Sequence, residues 1–375
     1  MPKHRWHPML DTQPALVRQA IADKREPWYS AWVYFRDGRL KSALTKTPNV
    51  YAGGNVPALT TYTQLDTDGH LARNLAIGYS LTGDVKYAIK ALSFIEAWAM
   101  RNKPVPFKAT GGLDYQGGYH QSYGYFSFAF AYDLIRDSGA AIAGDWAWMG
   151  AWLRAAADAL ATYQDHWATK LPKAGARIKY TWCDLTEDAR DYHLGRDTSI
   201  CTLAAELACA VASRYSSHIQ TLFDPVYPMN VPAILHAACA PDNQGDGVLD
   251  RVPNVQINAG LTGGSGAGGQ AYMSYVIRMA ALVAEMSNGL GMVAQQQLLD
   301  LLESFTYLSR FCSPDLVKPP CPGDIMPWAD FLARMQIGEH LFGGFEAAVG
   351  GGQASPRTFY DIQYLGPVTL VQPGL

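Results

Sequence analysis

The chain has 375 residues, enough for one large domain or two smaller ones, and its 49% hydrophobic against 17% charged residues exclude a disordered, solvating polymer. Thirty Lys and Arg against 33 Asp and Glu leave a formal charge of −3, which excludes a nucleic-acid binder relying on a global basic field. Aromatic usage is lopsided, with 21 Tyr and 10 Trp against 13 Phe, and residues with an apolar face and a polar handle suit a wet cleft for a ring-shaped ligand.

Helical periodicity first stands out over residues 71–81 and stops at Thr82-Gly83-Asp84. A second helix is expected over 87–100, with Ala88, Leu92, Ile95 and Ala99 on one face. The same cadence recurs over 123–135, 146–163, 198–214, 271–286, 292–311 and 328–341, while strand-like alternation is confined to Val255-Gln256-Ile257 and 360–371. Short turns rich in Gly, Asp and Pro join many of these helices, as antiparallel hairpins require. A long series of hairpins either stacks as a solenoid or curls into a toroid, and the lack of any fixed-period repeat weighs against the solenoid. No clean linker interrupts the chain, so 1–375 reads as one all-α domain with few short strands.

No apolar run of about 18 residues occurs, so no membrane span is expected. The first eight residues, Met1 to Pro8, are polar and lack the core of a secretory signal. The expected setting is secreted or periplasmic with a signal removed, or virion-associated, ahead of cytoplasmic. The six cysteines, Cys183, Cys201, Cys209, Cys239, Cys312 and Cys321, form no CxxC pair, which argues against structural zinc. Cys201 and Cys209 sit eight apart in an apolar helical pattern and read as core thiols. Cys312 and Cys321 flank a Pro-rich loop and are the one pair placed for a bridge, subject to geometry.

Residues 114–123, Asp-Tyr-Gln-Gly-Gly-Tyr-His-Gln-Ser-Tyr, are the densest run of sugar-compatible chemistry in the chain. Tyr faces stack on pyranose rings, and Gln, His and Ser supply donors and acceptors. A Gly-containing loop opening an apolar helix suits the rim of a cleft. The competing interpretation is a structural loop whose aromatics cap a hairpin.

His7-Pro8-Met9-Leu10, Glu26-Pro27-Trp28-Tyr29-Ser30-Ala31-Trp32, and Leu81 to Ala88 followed by Glu96-Ala97-Trp98-Ala99 stand in an order that resembles the alginate lyase superfamily of polysaccharide lyases. Its most specific words are Asp246-Gly247-Val248-Leu249, then Ala271-Tyr272-Met273-Ser274-Tyr275 at the head of an apolar helix. The resemblance implies an α/α toroid, an incomplete barrel of antiparallel helical hairpins, that cleaves a uronic-acid polymer by β-elimination. It places the catalytic tyrosine on Tyr272 and a catalytic histidine on His193. The family's Asn before that His falls on Tyr192, and its Arg seven residues before the Tyr falls on Ser265. Positive charge must then come from Arg196, Arg251 or Arg278; Arg196 is taken with Tyr272 and His193 as the catalytic set. Tyr115, Gln116, Tyr119, His120, Tyr123, Tyr192, Tyr275 and Arg278 are the expected substrate-binding residues, with an acidic polysaccharide as partner and no cofactor.

Such a reaction removes the proton at C5, next to the carboxylate, and expels the oxygen at C4. The transition state places charge on the carboxylate, so hydrogen bonds, Arg or a neutral His must face it. An acid and a base must reach the leaving oxygen and the C5 proton. A phenol near its usual value of about 10 is a poor base at neutral pH, so the site has to lower it.

Three other signals compete. Gly264-Ser265-Gly266-Ala267-Gly268-Gly269 satisfies GxGxxG, but the flanking strands of a dinucleotide site are missing, and a flexible loop beside Tyr272 is the better reading. Asp242, Asp246 and Asp250 fit part of a calcium loop, but Pro253 stands where the bidentate Glu belongs, which favours a plain turn. Asp114, Glu187, Asp188 and Asp191 contain candidates for the carboxylate pair of a glycoside hydrolase. A non-catalytic carbohydrate-binding toroid is the third alternative.

Overall fold

The computed structural model describes residues 18–19, 21–24, 29, 32–33, 35–51, 62–109, 112–113, 117–179, 186–188, 194, 197–239, 279–280, 282–284, 286–287 and 290–292. A π-helical turn, Phe35–Leu40, runs into α1, Lys41–Thr45; the following helices are α2 (Tyr62–Thr82), α3 (Val85–Arg101), α4 (Gly117–Ile135), α5 (Ala143–Ala168), α6 (Asp197–Ala212), α7 (Ser216–Phe223) and α8 (Val231–Cys239). Two antiparallel ribbons complete the described elements: β1 (Lys108–Ala109) with β2 (Gly112–Leu113), and β3 (Arg177–Lys179) with β4 (Thr186–Asp188). These residues fall into two compact units, one taken from 1–165 and 201–222, the other from 166–200 and 223–292. Neither unit is one contiguous stretch of chain.

The α2–α3 turn forms where the turn residues demand it. Gly83 takes a left-handed φ of 70° and its N–H donates to the Tyr79 carbonyl at 2.7 Å, closing α2. Asp84 then caps α3, its carboxylate accepting from the Lys86 N–H at 3.1 Å. Inside α3 the buried residues are Tyr87, Ala88, Ala91, Leu92, Phe94, Ile95 and Trp98. That face includes three of the four expected positions; Ala99 is only half-buried.

Helix α4 and residues 201–212 of α6 form the interior of the first unit. From Gly124 to Ile135 every residue of α4 is buried, and so is every residue of α6 from Ser199 to Ala212, as expected of helices apolar on all sides. The core thiols Cys201 and Cys209 are fully buried and are not joined in a disulfide. Against α4 packs α2. Leu65 lies against Gly124, and one turn further Gly69 lies against Gly124 and Ser127, so the two helices run in the same direction.

Several expectations about element bounds are corrected. Helix α4 begins at Gly117 and not near 123, so Tyr119, His120, Gln121 and Ser122 are helical. Two glycines open this helix because a Cβ on Gly118 would stand 2.6 Å from Thr202 Oγ1, and one on Gly117 would stand 2.9 Å from Phe107 Cβ. Glu187 and Asp188 belong to β4, opposite Ile178 and Arg177 in register. The expected strands at 255–257 and 360–371, the expected helix at 292–311 beyond its first residue, and the expected helix at 328–341 lie outside the described residues. No described helix is long and apolar enough to cross a membrane.

Candidate functional site

The N-terminal end of α4 is built by a closed hydrogen-bond relay. The Phe107 N–H donates to the Tyr163 hydroxyl, which donates to Gln121 Oε1 at 3.0 Å, and Gln121 Nε2 donates to the Val105 carbonyl at 3.0 Å. Gln121 and Tyr163 are both buried, where an unmade bond costs about 1–3 kcal/mol. Segment 105–107, α4 and α5 are thereby fixed to one another. On this frame stand three of the expected binding residues. Tyr119 and Tyr123, one turn apart, meet edge to face at 5.4 Å with their hydroxyls 3.1 Å apart. His120 meets the Tyr119 ring edge to face at 5.3 Å. All three are half-buried, each combining an aromatic surface with a polar edge.

Asp66 and His70 on α2 flank Gly69, the residue that touches Gly124, and Tyr123 is adjacent to Gly124. Along the helix axes these three therefore lie within about a turn of the crossing. Asp66 Oδ1 lies 3.5 Å from His70 Nδ1. Burial pushes the Asp66 carboxyl up to about 6, with Arg73 pulling it back in part. A carboxyl in that range beside an imidazole can exchange a proton near neutral pH. The sequence reading missed this group, although Asp66, His70 and Arg73 stand four and three residues apart on one helix, the spacing of a polar stripe.

A second polar group in the first unit gathers around one buried carboxyl. Glu206 of α6 is fully buried, with Oε1 2.7 Å from His218 Nε2. Tyr215 stacks on the His218 ring at 5.1 Å, and Asp158 Oδ1 lies 3.9 Å from His218 Nδ1. Burial raises the Glu206 carboxyl above its ordinary value, the hydrogen bond to His218 offsetting part of the rise. For His218 burial acts downward, but the hydrogen bond and charge of Glu206, joined by the charges of Asp158 and Asp165, outweigh it and hold the imidazole above its ordinary 6.5. Both groups therefore keep protons in the folded chain that they release in the unfolded one, so stability falls as pH rises past their unfolded values, 4.5 for Glu206 and 6.5 for His218. Thermal melts between about pH 5 and pH 9 should show that decline in the parent and a flattened or reversed slope in Glu206→Gln. An unchanged slope in the variant would remove the pair as its source.

Tyr115, Gln116, Tyr192, His193, Arg196, Tyr272, Tyr275 and Arg278 lie outside the described residues, as do Asp114, Asp191, the glycine run 264–269, the Asp242, Asp246 and Asp250 turn, and Cys312 with Cys321. Among the described residues no group of three or more His, Cys, Asp or Glu is placed to hold a metal ion.

No protein-family model matches the chain, and no curated protein sequence does. Solved structures do. An alginate lyase from Bacteroides ovatus matches with a TM-score of 0.59 at 16% identity, over 97% of this chain and 100% of that one. Alginate lyase A1-III from Sphingomonas species A1 matches with a TM-score of 0.56 at 16% identity, over 98% and 97% of the two chains. A variant of A1-III complexed with a tetrasaccharide gives a TM-score of 0.56 at 15% identity, over 98% and 96%. The chain thus has the fold of these alginate lyases, the α/α toroid that the sequence resemblance implies.

Proposed function

We propose that this chain is a polysaccharide lyase that cleaves a uronic-acid polymer by β-elimination. The observation that carries the reading is the likeness in fold to alginate lyases over 97–98% of the chain. The short sequence words around Tyr272 and His193 support it independently of the fold. In the proposed reaction a base takes the C5 proton, the electron pair forms the C4–C5 double bond, and the C4–O bond breaks as an acid protonates the leaving oxygen. Tyr272 serves as acid and also as base, His193 assists or faces the carboxylate, and Arg196 supplies positive charge. Tyr119, His120 and Tyr123 supply hydroxyl, imidazole and ring surface to the bound polymer, with Tyr115, Gln116, Tyr192, Tyr275 and Arg278 as further binding residues.

The test is product chemistry. Incubation with alginate, glucuronan and related acidic glycans should generate the ultraviolet absorbance of an unsaturated uronate on at least one of them. New reducing ends without that absorbance would replace the lyase reading by a hydrolase, and neither signal would leave a carbohydrate-binding protein.

A further inference from the structure

At the far end of α4 from Tyr119, about 25 Å along the helix, a concavity of about 550 Å³ opens among the end of α4, the start of α5 and the end of α6. Its volume falls within the range of small-ligand sites. Arg136, Arg154 and Arg214 line it against a single lining carboxylate, Asp137. We infer that this concavity is a second binding site for a carboxylated sugar, separate from the end of the fold that carries Tyr119 and Tyr123.

Two of the guanidiniums are held in place by the end of α6. Arg154 donates from Nε and Nη2 to the Ser213 carbonyl at 3.3 and 3.0 Å, and Arg136 donates from Nη1 to the Ala212 carbonyl at 3.4 Å. Asp133, buried beneath, lies 3.3 Å from Arg136 and neutralises it. The third cation is different. Arg214 is exposed, and its guanidinium has no hydrogen-bond or ion-pair partner among the described residues. It also occupies a backbone position that suits glycine, with a φ of 56°. The helix end explains that φ: the Arg214 N–H donates to the Val211 carbonyl at 3.1 Å and the Tyr215 N–H to the Ala210 carbonyl at 2.8 Å, the paired bonds of a helix terminus that favours Gly at this residue. An arginine there is a costly choice unless the guanidinium has a use.

The ligand class follows from what stands beside the cations. Tyr132 and Trp146 both line the concavity and meet edge to face at 5.5 Å, the Tyr132 hydroxyl donating to the Trp146 carbonyl at 2.9 Å. Burial raises the Tyr132 phenol and the Asp133 charge adds to the rise, while the charges of Arg136, Arg214 and Arg154 act against it. Aromatic surface beside planar, bidentate donors suits a ring that carries a carboxylate. An inorganic anion would use the guanidiniums alone. That the ring is a uronate rests on the proposed function; that the site takes an acidic sugar does not require turnover.

Arg214→Gly is the decisive variant, because it removes the charge while relieving the backbone. The full chain is titrated with a saturated uronate disaccharide, following the Trp146 indole N–H resonance, assigned by its loss in Trp146→Phe. The parent should show a saturable shift, Arg214→Gly should bind about tenfold more weakly, and the thermal midpoint of the variant should equal or exceed the parent's. A neutral disaccharide should cause no saturable shift. The proposal is overturned if the parent resonance does not respond, if Arg214→Gly binds as the parent does, or if inorganic phosphate saturates the same shift equally well. Loss of the lyase reading looks different: acidic glycans would stay uncut while the Trp146 response persists.

Discussion

Gly124→Val unfolds the first unit, or leaves it so weak that its thermal transition is lost. Where α2 and α4 cross, Gly124 faces Leu65 and Gly69 faces Gly124, and a side chain on either glycine would need space the other helix fills. A Cβ on Gly124 would stand 2.8 Å from the Leu65 carbonyl oxygen, and one on Gly69 would stand 2.8 Å from the Gly124 carbonyl oxygen. Both obstacles are backbone, so no rotamer change relieves them and the helices must separate. Alanine at an exposed helix position is worth roughly 1 kcal/mol over glycine, so propensity alone favours Gly124→Ala. Overpacking a core costs about 1–3 kcal/mol and occasionally more, and here a rigid carbonyl is the group displaced. Gly124→Ala should therefore lose about 2 kcal/mol net, and Gly124→Val more than about 4 kcal/mol, a large share of a typical 5–15 kcal/mol stability. Gly144 in the first turn of α5 is the comparison, since a Cβ there meets nothing within 4 Å. Gly144→Ala should be neutral or stabilising by up to about 1 kcal/mol. Denaturant unfolding of the three variants measures all of this, and a Gly124→Ala protein as stable as Gly144→Ala would show that the crossing is looser than described.

The same crossing shows where sequence reading succeeds and where it stops. The turn at Thr82-Gly83-Asp84 was legible because glycine and an N-cap are local chemistry, and the structure places φ of 70° at Gly83 and the cap on Asp84. Apolar stretches such as 198–214 were legible as helix because periodicity and burial point the same way. The start of α4 was not. Two consecutive glycines signal a loop when read locally, and here they are helical because Tyr163, Phe107 and Thr202 leave no room for side chains, a constraint set from 10 to 84 residues away. Ribbons of two or three residues are too short for alternation to register. The Glu206–His218 pair was missed for a related reason. A lone Glu within a helix otherwise made of Leu, Ala, Cys, Val and small polar residues does call for a partner, but the partner sits on the next helix. Arg214 left no trace at all, since a positive φ is invisible in a sequence that does not spend a glycine on it.

Tyr272→Phe should abolish turnover and leave folding and polymer binding nearly intact. The substitution keeps the ring and its apolar surface and deletes one hydroxyl, the group proposed to move protons at C5 and at the leaving oxygen. General acid–base catalysis by one positioned group contributes about 10²–10⁴ in rate, and a residue serving both steps should stand at the upper end. A fall in kcat of at least about 10³, or roughly 4 kcal/mol of barrier, is therefore expected. Polymer affinity should change by less than about twofold, because ground-state contacts are kept. Tyr123→Phe is the instructive contrast. Its hydroxyl lies 3.1 Å from that of Tyr119, in a pair proposed to contact the polymer, so KM should rise while kcat holds, the signature of lost uniform binding. Steady-state kinetics on the glycan that gives the unsaturated product separates the two. If Tyr272→Phe keeps its kcat and Tyr123→Phe loses it, the acid–base role belongs at the α4 end, with Asp66 and His70 as the groups to examine next.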